Sequence, residues 1–174
     1  MLPLAPSLKM TTSMVCIMGG NGSYSSELKG VPLASRTHNE AISRIDGHKI
    51  LVQKRKETQI KIPMNSNSEN PTYLCAKVTK DGSVQITSIA VYKDHKATKV
   101  IDLEFDKNGD YIPYSSSSKS SHSHNWKESD NGNIGRKSHD ENNRHPIPSE
   151  YKPLIDKIVK YNKEKHKWSK EKSQ

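Results

Sequence analysis

The chain has 174 residues, with 28 basic against 19 acidic side chains, a net charge of +9 and a pI near 9.4. Ile, Leu, Val and Phe together make 32 residues. That is about 18%, just under the roughly 20% below which a highly charged chain tends to lack a full core. A chain packed from end to end is excluded as the default, and a core of about 100 residues with loose ends is expected. No uncharged apolar run approaches the roughly 20 residues of a membrane-spanning helix, so no membrane partner is expected.

Residues 1–17 are mildly apolar, but Pro6 and Lys9 interrupt them, and they have neither a basic start nor a small-residue cleavage site. They do not read as a secretory signal. Met18-Gly19-Gly20-Asn21-Gly22-Ser23 has the look of a natural protein start. Residues 18–46 are rich in Gly, Ser, Asn and charge, and are expected to be flexible, with at most a helical turn over Ala41 to Ile45. His48 to Gln53 reads as a short strand, Gln59 to Ile62 as another ended by Pro63, and Asn65 to Pro71 as a loop.

From Tyr73 the pattern sharpens. Tyr73 to Val78 and Val84 to Tyr92 are strand-like, and Asp81-Gly82 between them suits a tight hairpin with positive φ at both central residues. Asp94-His95-Lys96 turns the chain again. In Val100 to Phe105 apolar and acidic residues alternate, so Ile101, Leu103 and Phe105 share one face. Asp102 and Glu104 fall on the other face, where paired carboxylates usually meet solvent. Asp106 to Asp110 is a turn and Tyr111 to Tyr114 a short strand. The serine tract Ser115 to Ser121 is a connector. Beyond it come His122 to Trp126, a turn at Asp130 to Asn133, and Ile134 to His139. Ser149 is a suitable N-cap for a helix carrying Tyr151, Leu154, Ile155, Ile158 and Tyr161 or Asn162 on one stripe.

These elements predict an α+β fold: an antiparallel sheet of about four to five strands with a C-terminal amphipathic helix. The expected organisation is a flexible segment over 1–46, one domain over 47–168 and a basic tail over 169–174. Cys16 and Cys75 are too few for a disulfide framework, which points to a reducing, cytoplasmic setting.

The basic excess points to a polyanion, with RNA the leading partner. It concentrates near the C-terminus: Lys157 to Lys172 holds seven lysines and two glutamates. Lys163, Lys165 and Lys167, with Lys137 and Arg144, are candidate phosphate contacts, and Trp126 is a candidate stacking platform.

Four of the eight histidines, His122, His124, His139 and His145, lie within 24 positions, beside Arg136, Lys137 and Arg144. A two-residue period places His122, His124 and Trp126 on one face of a strand, with the imidazoles about 6–7 Å apart. Three readings compete. In one, His122, His124, His139 and His145 supply general acid–base groups for metal-independent RNA cleavage, and Arg136 or Lys137 stabilises charge on phosphorus. In another, His122, His124 and one or two of His139, Asp140 and His145 hold zinc. In the third the segment is a solvated polar loop and Trp126 a core anchor.

The Met18-Gly19-Gly20-x-Gly22-Ser23 start, Ile101-Asp102-Leu103, His122-x-His124-x-Trp126, Arg136, His145-Pro146-Ile147 and a lysine-rich helix ending near Trp168 resemble a group of small proteins of phages and integrated elements of Gram-positive bacteria. The second half is also similar to toxin ribonuclease domains of the barnase/EndoU/colicin-like kind. That resemblance implies a compact sheet-and-helix fold, RNA as target, and His122 and His124 as site positions; a protein partner or cognate inhibitor is a separate expectation. The setting the resemblance implies is the bacterial host cytoplasm or the virion. The alternative is a non-enzymatic phage structural or accessory protein that binds nucleic acid or a protein.

Overall fold

A computed structural model describes residues 38–54, 62–128, 134–136, 143–166 and 168. The α+β class holds: one main sheet and one C-terminal helix. The main sheet has seven strands, β1 (His38–Ile45), β2 (His48–Gln53), β3 (Thr72–Val78), β4 (Val84–Lys93), β5 (Lys96–Asp102), β8 (His122–Glu128) and β9 (Ile134–Arg136), hydrogen-bonded in that order. Two two-residue strands, β6 (Glu104–Phe105) and β7 (Tyr111–Ile112), pair with each other alone. The sheet is mixed and not purely antiparallel, because β2 and β3 run parallel.

The first difference from expectation lies at 38–45. The stretch Ala41 to Ile45 is strand, not a helical turn. Asp46 and Gly47 both take positive φ, 50° and 78°, between the paired residues Ile45 and His48. That is the two-residue hairpin geometry which Asp-Gly favours, and it lays β1 against β2. The expected boundary at 47 therefore falls inside a hairpin. Asp81-Gly82 behaves differently. Only Gly82 has positive φ, and the loop runs from Thr79 to Ser83, closed by Thr79 N–H to Ser83 O at 2.8 Å. The tight two-residue turn is found instead at Asp94 and His95, with φ of 50° and 67°. The expected strand at Gln59 to Ile62 lies outside the described residues except for Ile62.

Helix α1 (Lys152–Lys163) follows a single 3₁₀ turn at Ser149–Tyr151. Ser149 makes no side-chain cap bond, so the expected N-cap is replaced by this turn, and Pro153 sits at the helix start where its missing N–H costs nothing. Leu154, Ile155 and Ile158 enter a cluster with Ile50, Val52, Leu74, Ile86, Ile89, Ile101 and Leu103. Burying each such side chain contributes about 1.5–3 kcal/mol. Asn162 completes the packing. Its amide accepts from Ile86 N–H at 2.9 Å and donates to Ile86 O at 2.8 Å. The last β4–β5 pair is Ser88 with Asp102, so Asn162 takes the place of a strand that has ended.

The opposite face of the sheet is also covered. Leu51, Tyr73, Cys75, Ala90, Tyr92 and Ala97 form a second buried cluster, joined by Ile62 and Trp126. The segment 62–71, which leads into β3, lies across this side. Its Pro63 carbonyl accepts from the Tyr92 hydroxyl, its Ser66 hydroxyl bonds Tyr73 at 2.6 Å, and its Met64 carbonyl accepts from Ala97 N–H at 2.9 Å. Two apolar faces explain why Val100 and Ile101, neighbours in β5, are both fully buried.

Ile158 is completely buried between α1 and the sheet. Replacing it with Ala is expected to lower unfolding free energy by about 2–5 kcal/mol, by lost burial and the cavity left behind. Urea denaturation measures it. A loss under about 1 kcal/mol would mean that the helix does not dock on this face.

Candidate metal centre

Strands β5 and β8 pair antiparallel, with Val100 opposite His124 and Asp102 opposite His122. Directly opposed residues point to the same side of a sheet. The alternation therefore brings Asp102, His122 and His124 together on the side away from α1. Asp102 was expected on a solvent-facing side. That side is instead the second buried face, and the Asp102 side chain is only 21% exposed.

The two imidazoles lean together more than strand spacing predicts. Their ring centroids are 4.4 Å apart, edge to face. Both histidines are buried, at 8% and 5% exposure. His124 Nε2 lies 3.4 Å from Asp102 Oδ2, and His122 Nε2 lies 3.9 Å from the same oxygen. One donor atom from each of the three side chains lies within 4.8 Å of the others.

The far side of each ring fixes its tautomer. His122 Nδ1 bonds Ser120 O at 2.7 Å, and His124 Nδ1 bonds Asn143 O at 2.8 Å. A carbonyl oxygen only accepts, so each Nδ1 carries the hydrogen. In the neutral rings both Nε2 atoms then present lone pairs, and they present them to a carboxylate oxygen. His124 Nε2 is buried without a hydrogen-bond partner. Asp102 is oriented in turn, because Ser88 Oγ donates to its Oδ1 at 3.0 Å and Oδ2 faces the imidazoles.

Burial lowers the pKa of His122. The carbonyl of Ser120 opposes this, the charges of His124 and Arg144 reinforce it, and Asp102 opposes it weakly. His122 is thus held neutral near pH 7, the form that ligates metal. Glu104, just beyond β5, has its carboxyl pushed up by burial and then by Asp102, against the pull of Lys77 and Arg144.

Donors 2.0–2.1 Å from a tetrahedral ion stand about 3.4 Å from one another. The His124–Asp102 separation already has this value, whereas His122 and Asp102, 3.9 Å apart, and the two imidazole nitrogens, within 4.8 Å, must close inward around the ion. Two imidazoles and one carboxylate can therefore hold a divalent transition-metal ion.

Several of the other expected site residues make contacts of their own. His145 meets β8 through its backbone, exchanging N–H and C=O bonds with Ser123 at 2.9 Å, and is not part of the triad. Arg144 lies beside the site. Its Nη2 donates to Ser117 O at 2.9 Å, Ser120 O at 3.1 Å and Ser120 Oγ at 3.2 Å, and stands 3.3 Å from His122 Nδ1. Trp126 is half-buried against the second cluster, with Nε1 buried and without a partner. Arg136 pairs with Trp126 through the backbone of β9. Lys163 forms an ion pair with Asp110 at 2.8 Å, which raises its pKa, and Lys165 is exposed past the end of α1. Lys137, His139, Asp140 and Lys167 lie outside the described residues. Sequence reasoning missed the roles of Asp102, Ser120 and Asn143. The signal for Asp102 is the β5–β8 pairing, which local periodicity does not contain. Ser120 and Asn143 act through main-chain carbonyls, which leave no mark in side-chain chemistry.

No family model, no curated protein and no solved structure matches this chain.

Cys75 lies under the same face, wholly buried, and burial, then the charge of Asp102, push its thiol up to about 12. At pH 8 about 10⁻⁴ of it is then thiolate, against roughly a quarter of a free cysteine. In a Cys16→Ser background, iodoacetamide is expected to label the native protein at least about 10³-fold more slowly than the urea-unfolded chain. Comparable rates would show that the second face opens freely.

Proposed function

We propose that this protein holds a divalent ion, zinc by its donor chemistry, between Asp102, His122 and His124, and uses it to hydrolyse the phosphodiester chain of RNA. The observation that carries the reading is the convergence of three acceptors. Two Nε2 lone pairs, fixed by the Ser120 and Asn143 carbonyls, face Asp102 Oδ2 at 3.9 and 3.4 Å. Facing lone pairs repel, and a cation between them turns the repulsion into three bonds.

Zinc fits because imidazole and carboxylate are both among its usual ligands, and three protein ligands leave a fourth position open, as in hydrolytic zinc sites. A bound ion of this class supplies an acidified water and polarises a phosphoryl oxygen. The chain's own groups do the rest. Ser88 holds the carboxylate, and the two carbonyls hold the rings. The partly exposed Asp102 is the side from which substrate enters.

This arrangement suits a metal better than a metal-independent acid–base pair. Cleavage by two imidazoles places one on each side of the phosphate. Here both rings are turned toward one carboxylate, with centroids 4.4 Å apart. Support for RNA comes from the net charge of +9, which favours a polyanion.

Two measurements test the reading. Elemental analysis of the purified full chain is expected to find about one zinc per protein, and none in Asp102→Asn or His124→Ala. Loss of a ligand is expected to weaken zinc binding by more than the roughly 10–100-fold that loss of an outer hydrogen-bond partner costs. RNA cleavage is expected to stop with a chelator and to return with added zinc. Failure of the wild type to bind zinc at micromolar concentration would end the metal reading. A fully loaded protein that leaves RNA intact would end the nuclease reading alone.

A further inference from the structure

We infer that Arg144 is a positioning residue, which sets the tautomer and aim of both site imidazoles by locking together the two segments that hold them. It was expected to contact phosphate. The geometry gives it an internal task.

The two carbonyls that fix the rings come from different parts of the chain. Ser120 O ends the serine segment that precedes β8, and Asn143 O lies 23 residues later. Three consecutive residues tie the later segment to β8 and its approach. Asn143 holds His124 through its carbonyl, and its side chain exchanges two 3.3 Å bonds with the backbone of Asn125. His145 exchanges two 2.9 Å backbone bonds with Ser123. Arg144, between them, reaches in the other direction. Its Nη2 contacts Ser117 O, Ser120 O and Ser120 Oγ. The carbonyl that orients His122 is thus one that Arg144 grips, and the carbonyl that orients His124 belongs to the residue before Arg144.

The grip has a chemical consequence. Ser120 O takes hydrogens from both Arg144 Nη2 and His122 Nδ1, and these two nitrogens are 3.3 Å apart. With Nδ1 donating to the carbonyl at 2.7 Å, it and Nη2 are two donors that share one acceptor, and the 3.3 Å between them is a contact and not a hydrogen bond. A guanidinium also polarises that carbonyl and fixes its direction. Without it, Ser120 keeps contacts within its own loop alone, from its hydroxyl to Ser115 O and Ser117 O at 2.8 Å and from its N–H to Ser117 O at 3.2 Å, and its carbonyl loses the bond that ties it to the later segment. The ring can then rotate, and Nε2 no longer faces Asp102.

The experiment reads the rings and the metal separately. Long-range ¹H–¹⁵N spectra of the metal-free protein report each tautomer directly. Cobalt(II) titration, followed by its visible absorption, reports the assembled site and is the arm that rests on the metal reading. Wild type is expected to show Nδ1–H rings at His122 and His124. Arg144→Gln is expected to give mixed tautomers at His122 and about 10–100-fold weaker cobalt binding with an altered spectrum. Arg144→Lys keeps the charge at shorter reach and is expected to fall between. Circular dichroism checks that each variant is folded, and if the Gln variant is not, the Lys variant decides.

Folded variants with wild-type tautomers and wild-type cobalt spectra would overturn the inference. If Arg144 contacts phosphate instead, the rings stay unchanged and the salt slope of RNA binding falls by about one. If wild type binds no cobalt but its tautomers still shift in the variants, the metal reading falls and the positioning role stands.

Discussion

A carbonyl oxygen has no hydrogen to give, and the candidate site depends on that fact twice. Ser120 O and Asn143 O each face an imidazole Nδ1 at 2.7 and 2.8 Å. Each bond obliges the neutral ring to turn a bare Nε2 the other way. Because His122 and His124 lie two residues apart on one strand, both bare nitrogens fall on one side, toward the residue that β5 supplies. Neither the histidines nor the aspartate alone would define a site. The direction of two main-chain dipoles does.

The sheet makes this arrangement costly, and the cost is informative. A carboxylate and two imidazoles on a solvated strand would need no partners. Here both faces of β5 are covered, by α1 on one side and by the 62–71 segment and Trp126 on the other. Burying a polar group without compensation costs about 1–3 kcal/mol on mutational scales. Burial lowers the pKa of His122, which favours the neutral ring with its Nε2 lone pair toward Asp102. A metal ion satisfies all three groups at once. Structure and chemistry therefore point the same way at the end of the second face where the three side chains converge.

Much of the scaffold was legible from local pattern. The β-branched runs, the alternation through Ile101 and Leu103, and the helical stripe of Leu154, Ile155 and Ile158 all appear where their periods place them. Local pattern failed where partners are distant. Ala41 to Ile45 reads as a helical turn until Asp46-Gly47 folds it back on β2. The parallel pairing of β2 with β3 depends on a crossover with no signature of its own. The face carrying Asp102 reads as solvent-exposed because alternation of acidic and apolar residues normally means one wet side. Two-sided coverage defeats that rule. For the same reason the histidine pair was legible and its carboxylate was not: His122-x-His124 is contained in three residues, whereas Asp102 joins it only through strand pairing across 20.

Under the proposed function, the placement of the basic residues constrains the substrate. The helix lysines sit on the α1 side of the sheet and the triad on the other. Two of them, Lys157 and Lys163, already meet Asp46 and Asp110. Exposed pairs of this kind are screened by solvent and contribute little, so a phosphate group can displace either carboxylate. The stripe can then serve as a phosphate track, but not for the same phosphate that reaches Asp102. Layers packed on a sheet stand about 10 Å from it, so one ligand touching both must pass around the sheet edge. A mononucleotide cannot do this, whereas a flexible single strand of several nucleotides can. If the lysines and the triad serve one reaction, its substrate is a polymer, and the polymer's length and flexibility matter more than recognition of any single base.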